Sequence, residues 1–327
     1  MKSGIWCTCR IGVTVLAALS AWPGAAQQNF PLKPVRYVVP YPPGGSTDPM
    51  ARMVAARLSE RWGQSVIVDN RPGGSTVIGM DYIAKAAPDG HTIGWAGAAM
   101  FSTPHLIPNM PYDAIRDLTG VATLARSRVV LVLHPSVPVK NLKEMIAFAK
   151  ARPDQLNFAS SGIGTNTHLS GELFNMMAGT KLTHVPYKGS GPATTDLLGG
   201  RVEMSFQIPI TVIPMIKSGK LRPIAVTGNT RLAAIADVPT FTEAGLPNYG
   251  LTGITAVVAP IKTPRALVDR INADIAAVLA TPLAQDYIAK QGAEPFVSNV
   301  DETNAIIKQE LARYGSIIKA AGVKLPH

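Results

Sequence analysis

Three stretches of the 327-residue chain concentrate hydrogen-bonding groups without bulk: Tyr41-Pro42-Pro43-Gly44-Gly45-Ser46-Thr47-Asp48, Ser160-Ser161-Gly162-Ile163-Gly164-Thr165-Asn166 and Lys188-Gly189-Ser190-Gly191-Pro192. Each follows an apolar, strand-like run and precedes a helix-like one. Each therefore aims free backbone N–H groups and the positive end of a helix dipole past the strand's carboxyl end. That is chemistry for holding an anion. Glycines 44 and 45 permit positive φ and let a ligand approach the main chain. A purely structural reading of the first stretch stands beside it, with Asp48 as N-cap, Pro49 at N1 and the glycines turning the chain.

Covalent catalysis and metal chemistry find little support. The chain has no Gly-x-Ser-x-Gly elbow; Ser161-Gly162 and Gly189-Ser190-Gly191 lack that spacing. It has no His-Glu-x-x-His pair, and its 6 histidines are dispersed singly. Both cysteines, Cys7 and Cys9, precede the first apolar core, so no disulfide, thiolate metal site or cysteine nucleophile is expected beyond it. We expect no metal and no cofactor. An exported α/β hydrolase acting on a small ester or amide is the alternative, since a catalytic set can be assembled from distant residues.

Four further residues invite a role. Arg71 could clamp a carboxylate with its guanidinium, but Asp69 and Pro72 favour tying down its own turn. Lys188 has the same standing. His168, one turn into a helix, reads as a packed or capping side chain before it reads as a ligand. Tyr187 and Gln207 stand at strand ends where they could line a cleft.

The elements that must position these groups alternate. Val35 to Val39 is a short β-branched run between prolines, and Met50, Met53, Val54 and Leu58 share one helix face. Strands at 65–70 and 91–97 flank a helix from Val77 to Ala87, and after a looser stretch a strand follows in 128–135. The pattern restarts with helices at 142–151, 166–178, 192–199 and 211–218 between strands at 156–160, 182–187, 202–207 and 221–227. Alternation of this kind means βαβ units and mostly parallel sheets. From Thr263 the chain turns helical, with stripes Val268, Ile271, Ile275, Val278, Leu279 and Ile306, Ile307, Leu311, Tyr314, Ile318. We expect domain 1 to comprise 27–127 and 252–327, and domain 2 to comprise 128–251. Ligands of open α/β sheets sit outside the carboxyl ends of the strands, so two such lobes facing each other form a cleft.

The first 26 residues read as a cleavable signal peptide: Lys2 and Arg10, then the apolar run IGVTVLAALSA, then Gly24-Ala25-Ala26. Its loss leaves 29 Lys and Arg against 21 Asp and Glu, a net charge of +8. This basic balance can draw in acidic ligands. Nucleic acid is not an expected partner, because the cations are scattered and no aromatic stacking pattern interleaves them.

Five motifs together, Tyr41 to Asp48, Asn70-Arg71-Pro72-Gly73-Gly74, Ser160 to Thr165 with His168-Leu169, Val185-Pro186-Tyr187-Lys188-Gly189, and Asp196-Leu197-Leu198-Gly199-Gly200, resemble the Bug-type periplasmic solute-binding receptors of tripartite tricarboxylate transporters. The resemblance spans essentially the whole chain beyond the leader. Pro49 and the Gly74-Ser75-Thr76 run depart from the family's usual residues. The resemblance implies an α/β two-lobed periplasmic-binding-protein fold, type II-like, each lobe a mostly parallel sheet flanked by helices. It implies a monomeric, non-enzymatic periplasmic receptor that closes on a small organic acid and delivers it to membrane permease subunits. Carried over residue by residue, it nominates Gly44, Gly45, Ser46 and Asp48 from the first lobe and Ser160, Gly164, Thr165 and Asn166 from the second; Tyr187 completes the expected site.

Overall fold

A computed structural model describes residues 30–44, 47–249 and 251–324. The predicted signal peptide lies outside them, as do Gly45 and Ser46. The chain from Pro31 onward is a single compact unit built around two sheets.

The first sheet begins with β1 (Val35–Val39), β2 (Val66–Asn70) and β3 (Thr92–Ala96), paired in parallel in the order β2-β1-β3. The chain leaves β1 through α1 (Thr47–Trp62), leaves β2 into α2 (Val77–Ala84), and leaves β3 into the short α3 (Ala98–Ser102). The second sheet repeats the plan with β6 (Asn157–Ser160), β7 (Thr183–Pro186) and β8 (Met204–Gln207), parallel in the order β7-β6-β8. These strands feed α5 (Asn166–Ala178), α6 (Ser190–Leu198) and α7 (Pro209–Lys217). In both trios the middle strand comes first in sequence and the next two flank it. The gap between the first and third strands is then a topological switch point, and every strand-to-helix elbow of a trio opens at the same edge.

The remaining strands correct the expectation of mostly parallel sheets. β4 (Leu118–Ser127) carries the chain towards the second lobe and β10 (Gly253–Pro260) brings it back, so the two pair antiparallel beside β3. Strand β11 (Ala293–Pro295) adds antiparallel to β4. In the second lobe β5 (Val130–Leu133) runs antiparallel between β8 and β9 (Arg222–Val226). Both sheets are mixed because a strand that enters a lobe and one that leaves it must point opposite ways. All four residues of β5 are buried, Leu131 and Leu133 on one face and Val130 and Val132 on the other, which needs cover on both sides of the sheet.

Helix α4 (Leu142–Lys150) is capped by Asn141, which accepts from Glu144 N. Toward the C-terminus α8 (Arg265–Leu279) and α9 (Pro282–Lys290) precede α10 (Val300–Ala321), which starts with a capping box between Asn299 and Glu302. The apolar stripe of α8 predicted from spacing is buried throughout. Helix α10 packs on β4 and α3 of one lobe and on α5 of the other, so Tyr314, Ile317 and Ile318 belong to a core that also holds Phe101, Phe158 and Phe174. That core is continuous across the lobes.

Arg128, at the passage from β4 to β5, is 2% exposed. Its guanidinium donates to the backbone and hydroxyl of Thr230 and pairs with Glu294 on β11. Burial lowers its pKa from the usual arginine value, so its carboxylate partner matters. Glu294→Ala is expected to cost about 1.5–3 kcal/mol, the value of a hydrogen bond to a charged group. Urea unfolding measures this; an unchanged midpoint would show the pair contributes nothing.

Candidate functional site

A cavity of about 600 Å³ opens between the two parallel trios. The first lobe contributes Tyr41 and Pro42 after β1, Thr47 and Met50 from α1, and Trp95 and Gly97 at the end of β3. The second contributes Ser161, Thr165, Asn166 and Thr167 from the β6 elbow, then Gly189 and Ser190 from the β7 elbow. Ile208, Ile210 and Thr211, from the β8 elbow, close that side. The floor comes from the crossing strands, with Ser127 on β4 and Gly253, Ile254 and Thr255 on β10. Both switch points face this space.

No charged side chain lines the cavity among the described residues. Instead the N-termini of α1, α5, α6 and α7 converge there, each longer than two turns. First-turn N–H groups and dipole ends supply the positive potential that side chains do not.

Asn166 is held from behind. Its Oδ1 accepts from Tyr314 Oη at 3.2 Å, and its amide nitrogen lies so close to β10 that a Cβ at Gly253 would meet it at 2.8 Å. The Nδ2 hydrogens have no partner among the described residues. Thr165 is the N-cap of α5, as its position predicts: its hydroxyl accepts from His168 N and donates to Gly162 O at 2.6 Å. Its proton is committed to the loop, so its part is to shape the elbow more than to donate to a ligand. Gly164, with φ +74, carries the same elbow against the first lobe; an added Cβ would stand 3.0 Å from Leu106. It is a lobe contact and not a cavity lining.

The other expected site residues are brought near the cavity without lining it. Gly44 is exposed at φ +79, and its N–H donates to Asp48 Oδ2 at 3.2 Å. Asp48 lies in the first turn of α1 and not at its N-cap, because its carboxylate turns back to Gly44, Arg52 (2.9 Å) and the Asn70 amide (3.0 Å). Arg52 above all, then Asn70, keeps it below the usual carboxylate range. It staples the elbow to the end of β2. Tyr187 points away, donating to Asp196 at 2.8 Å. Gln207 is buried, with its amide on Ser205 Oγ. Arg71 ties its own turn, with Nε on Asp69 at 2.7 Å and the guanidinium 3.7 Å above the Tyr82 ring.

Ser160 is fully buried with its Oγ 2.7 Å from His184 Nε2, a serine and histidine pair that the sequence spacing of 24 conceals. It is not a nucleophile in waiting. Burial, then neighbouring His168, pushes the His184 pKa down to about 3, too weakly basic for general-base work near neutrality. The rings of His168 and His184 stack at 3.8 Å, so these two histidines are not dispersed as the sequence implied. With Glu172 they bring three potential ligand atoms within 4.8 Å of one another. His168 Nδ1 accepts the Gly164 N–H at 3.1 Å, leaving the ring proton on Nε2 towards Glu172 at 3.4 Å. Through Ser160 and the Gly164 N–H the two histidines brace the back of the elbow.

Sequence reasoning missed Trp95, which is 5% exposed and whose indole N–H has no partner among the described residues. The available signal was its place: the last bulky residue of a short strand, directly before Gly97. Tyr41, quoted only as part of a motif, also lines the cavity. Burial pushes its phenol up to about 12 while an Ala99 backbone hydrogen bond pulls it back, so it remains a donor at neutral pH.

The His184 shift makes a stability prediction. Its folded pKa lies below the ordinary value near 6.5, so the unfolded chain takes up the proton first as pH falls. The stabilising contribution is complete above about pH 6.5 and is lost progressively towards pH 3. In thermal melts, His184→Gln, which keeps a group facing Ser160, should lose less melting temperature than wild type between pH 7 and pH 4. An equal loss would contradict the assignment.

Comparison with known proteins agrees with this geometry. The family model described as tripartite tricarboxylate transporter family receptor matches residues 50–323. Protein BugT of Bordetella pertussis is 37% identical over 317 residues, covering 96% of this chain and 97% of that protein. Among solved structures, R. palustris Rpa4515 with adipate superposes at a TM-score of 0.78, with 37% identity, 90% of this chain and 100% of that one covered. The periplasmic binding protein BugD gives 0.75 at 31% identity, covering 90% of this chain and 100% of its own. The chain belongs to the receptor family of the tripartite tricarboxylate transporters.

Proposed function

We propose that this receptor captures a small organic acid between its lobes and hands it to the membrane permease of a tripartite tricarboxylate transporter. The carrying observation is the uncharged cavity ringed by the N-termini of four helices. Such a ring favours a carboxylate, which can accept several backbone and amide hydrogen bonds at once. The similarity to a relative solved with adipate and, at 28% identity, to MatC with bound malate supports the same class of ligand.

Capture by closure fits the architecture. Domain 1, residues 27–127 and 252–327, and domain 2, residues 128–251, are the units proposed to move, about the crossings next to Arg128 and β10. Export to the periplasm follows from the N-terminal 26 residues, with Gln27 as the first mature residue and a monomer as the working form. No helix among the described residues is long and apolar enough to cross a membrane. A hydrolase is disfavoured because Ser160 is buried away from the cavity and His184 is a poor base.

The test is mass spectrometry of whatever co-purifies, followed by a thermal-shift panel of organic acids. A true ligand at 100 times its dissociation constant should add about 2.7 kcal/mol of stability. Asn166→Ala should weaken that ligand by about 1.5–3 kcal/mol while the protein still folds cooperatively. Stabilisation by no organic acid, or steady hydrolysis of ester substrates by the pure protein, would overturn the reading.

A further inference from the structure

Strand β11 and the two residues before it serve two spaces at once. Gln291 and Ala293 line the cavity, and Ala293 pairs across the ladder with Ser127, another lining residue. Gly292 and Glu294 meet the opposite lobe instead. Gly292, with φ +69, lies against the first turn of α7, where an added Cβ would stand 2.5 Å from Pro209 Cβ and 3.0 Å from its Cγ. Only a residue without a side chain lets the two backbones come this close. Glu294 accepts from the Thr230 hydroxyl at 3.1 Å and pairs with Arg128, whose guanidinium also donates to Thr230. Pro209 and Thr230 both belong to the second lobe, and Pro209 stands between Ile208 and Ile210 of the cavity lining. Ligand space and lobe contact thus share one strip of four residues.

We propose, resting on the receptor reading, that Gln291 to Glu294 is the stop against which the second lobe closes, and that Gly292, Glu294 and Thr230 are positioning residues that set the final lobe separation without touching the ligand. Seating Pro209 on Gly292 fixes how far the N-terminus of α7 advances over the cavity. Hydrogen bonds weaken steeply once the donor is displaced, so a lobe held off at this point leaves a ligand gripped from one side only. A receptor whose fully closed state is depopulated binds with its affinity reduced by that fraction.

Spin labels on Lys181→Cys in the second lobe and Leu283→Cys in the first, both exposed positions, report the lobe separation by pulsed electron resonance; residues 27–327 contain no other cysteine. Distances are measured without added acid and with adipate, in wild type and in Gly292→Ala. The control is Gly219→Ala, which has nearly the same backbone conformation, φ +71, and nothing within 4 Å of the new Cβ. We expect Gly292→Ala never to reach the shortest separation that wild type shows, and Gly219→Ala to match wild type. In calorimetric titration with adipate, Gly292→Ala should bind roughly tenfold or more weakly, and Thr230→Val about three- to tenfold more weakly. Pro209→Gly added to Gly292→Ala removes the opposing atoms and should restore most of the lost affinity. If Gly292→Ala reaches the wild-type shortest separation under either condition, or if Gly219→Ala loosens the lobes equally, the stop is overturned and the receptor reading stands. If wild type neither binds adipate nor changes its separation, the receptor reading loses its support from adipate, while the comparison of Gly292→Ala with wild type still decides the stop.

Discussion

An anion taken out of water has to be met by something that replaces its hydration, and among the described residues no charged side chain lines the cavity to do so. The replacement is the backbone. A parallel trio of strands puts three strand-to-helix elbows at one edge, and two trios facing each other put the N-termini of four long helices around one cavity. Dipoles fixed by the fold need no reorganisation when the ligand arrives, and they do not compete for it with a mobile counter-ion. The cost is that the elbows must be held rigidly. Hence the staple at Asp48, the Thr165 cap, the stacked histidines and the Tyr314 hydroxyl behind Asn166, none of which has to touch the ligand.

The lobe junction follows from the same need. A cradle shared between lobes works only if each half can find the other, and the contacts that join them are small and close: Gly164 against Leu106, Asn166 against Gly253, Arg128 reaching Glu294. Helix α10 ties both lobes into one core. The glycines of the second elbow therefore serve packing between lobes as much as access to the backbone. Only the second of these uses, access to the backbone, was visible while the chain was read as two separate sheets.

Much of the fold could be read from period and punctuation. Strands such as β1 and β8 are short apolar runs between turn residues, and α5 matched its predicted bounds because Thr165 and Gly179 mark them. Strands β4 and β10 were missed. Their residues are small and buried on both faces, so neither alternation nor a helical stripe marks them, and their pairing partner is more than a hundred residues away. For the site, the sequence located the right elbows but not which side chains of each turn inwards. Asp48, Ser160 and Tyr187 carry the polar chemistry a site would need, yet each spends it on the scaffold. Thr165 and Asn166 do line the cavity. Trp95 escaped notice because a tryptophan ending a strand is ordinarily core, and only tertiary placement leaves its N–H unpaired.

The most direct measurement is a crystal structure of the protein with its carboxylate ligand bound. Carboxylate oxygens are expected within about 3.2 Å of first-turn N–H groups of α5 or α6 and of the Asn166 amide, with no lysine or arginine nitrogen in hydrogen-bond reach. A carboxylate held by the guanidinium of Arg71 or the ammonium of Lys188 would contradict it.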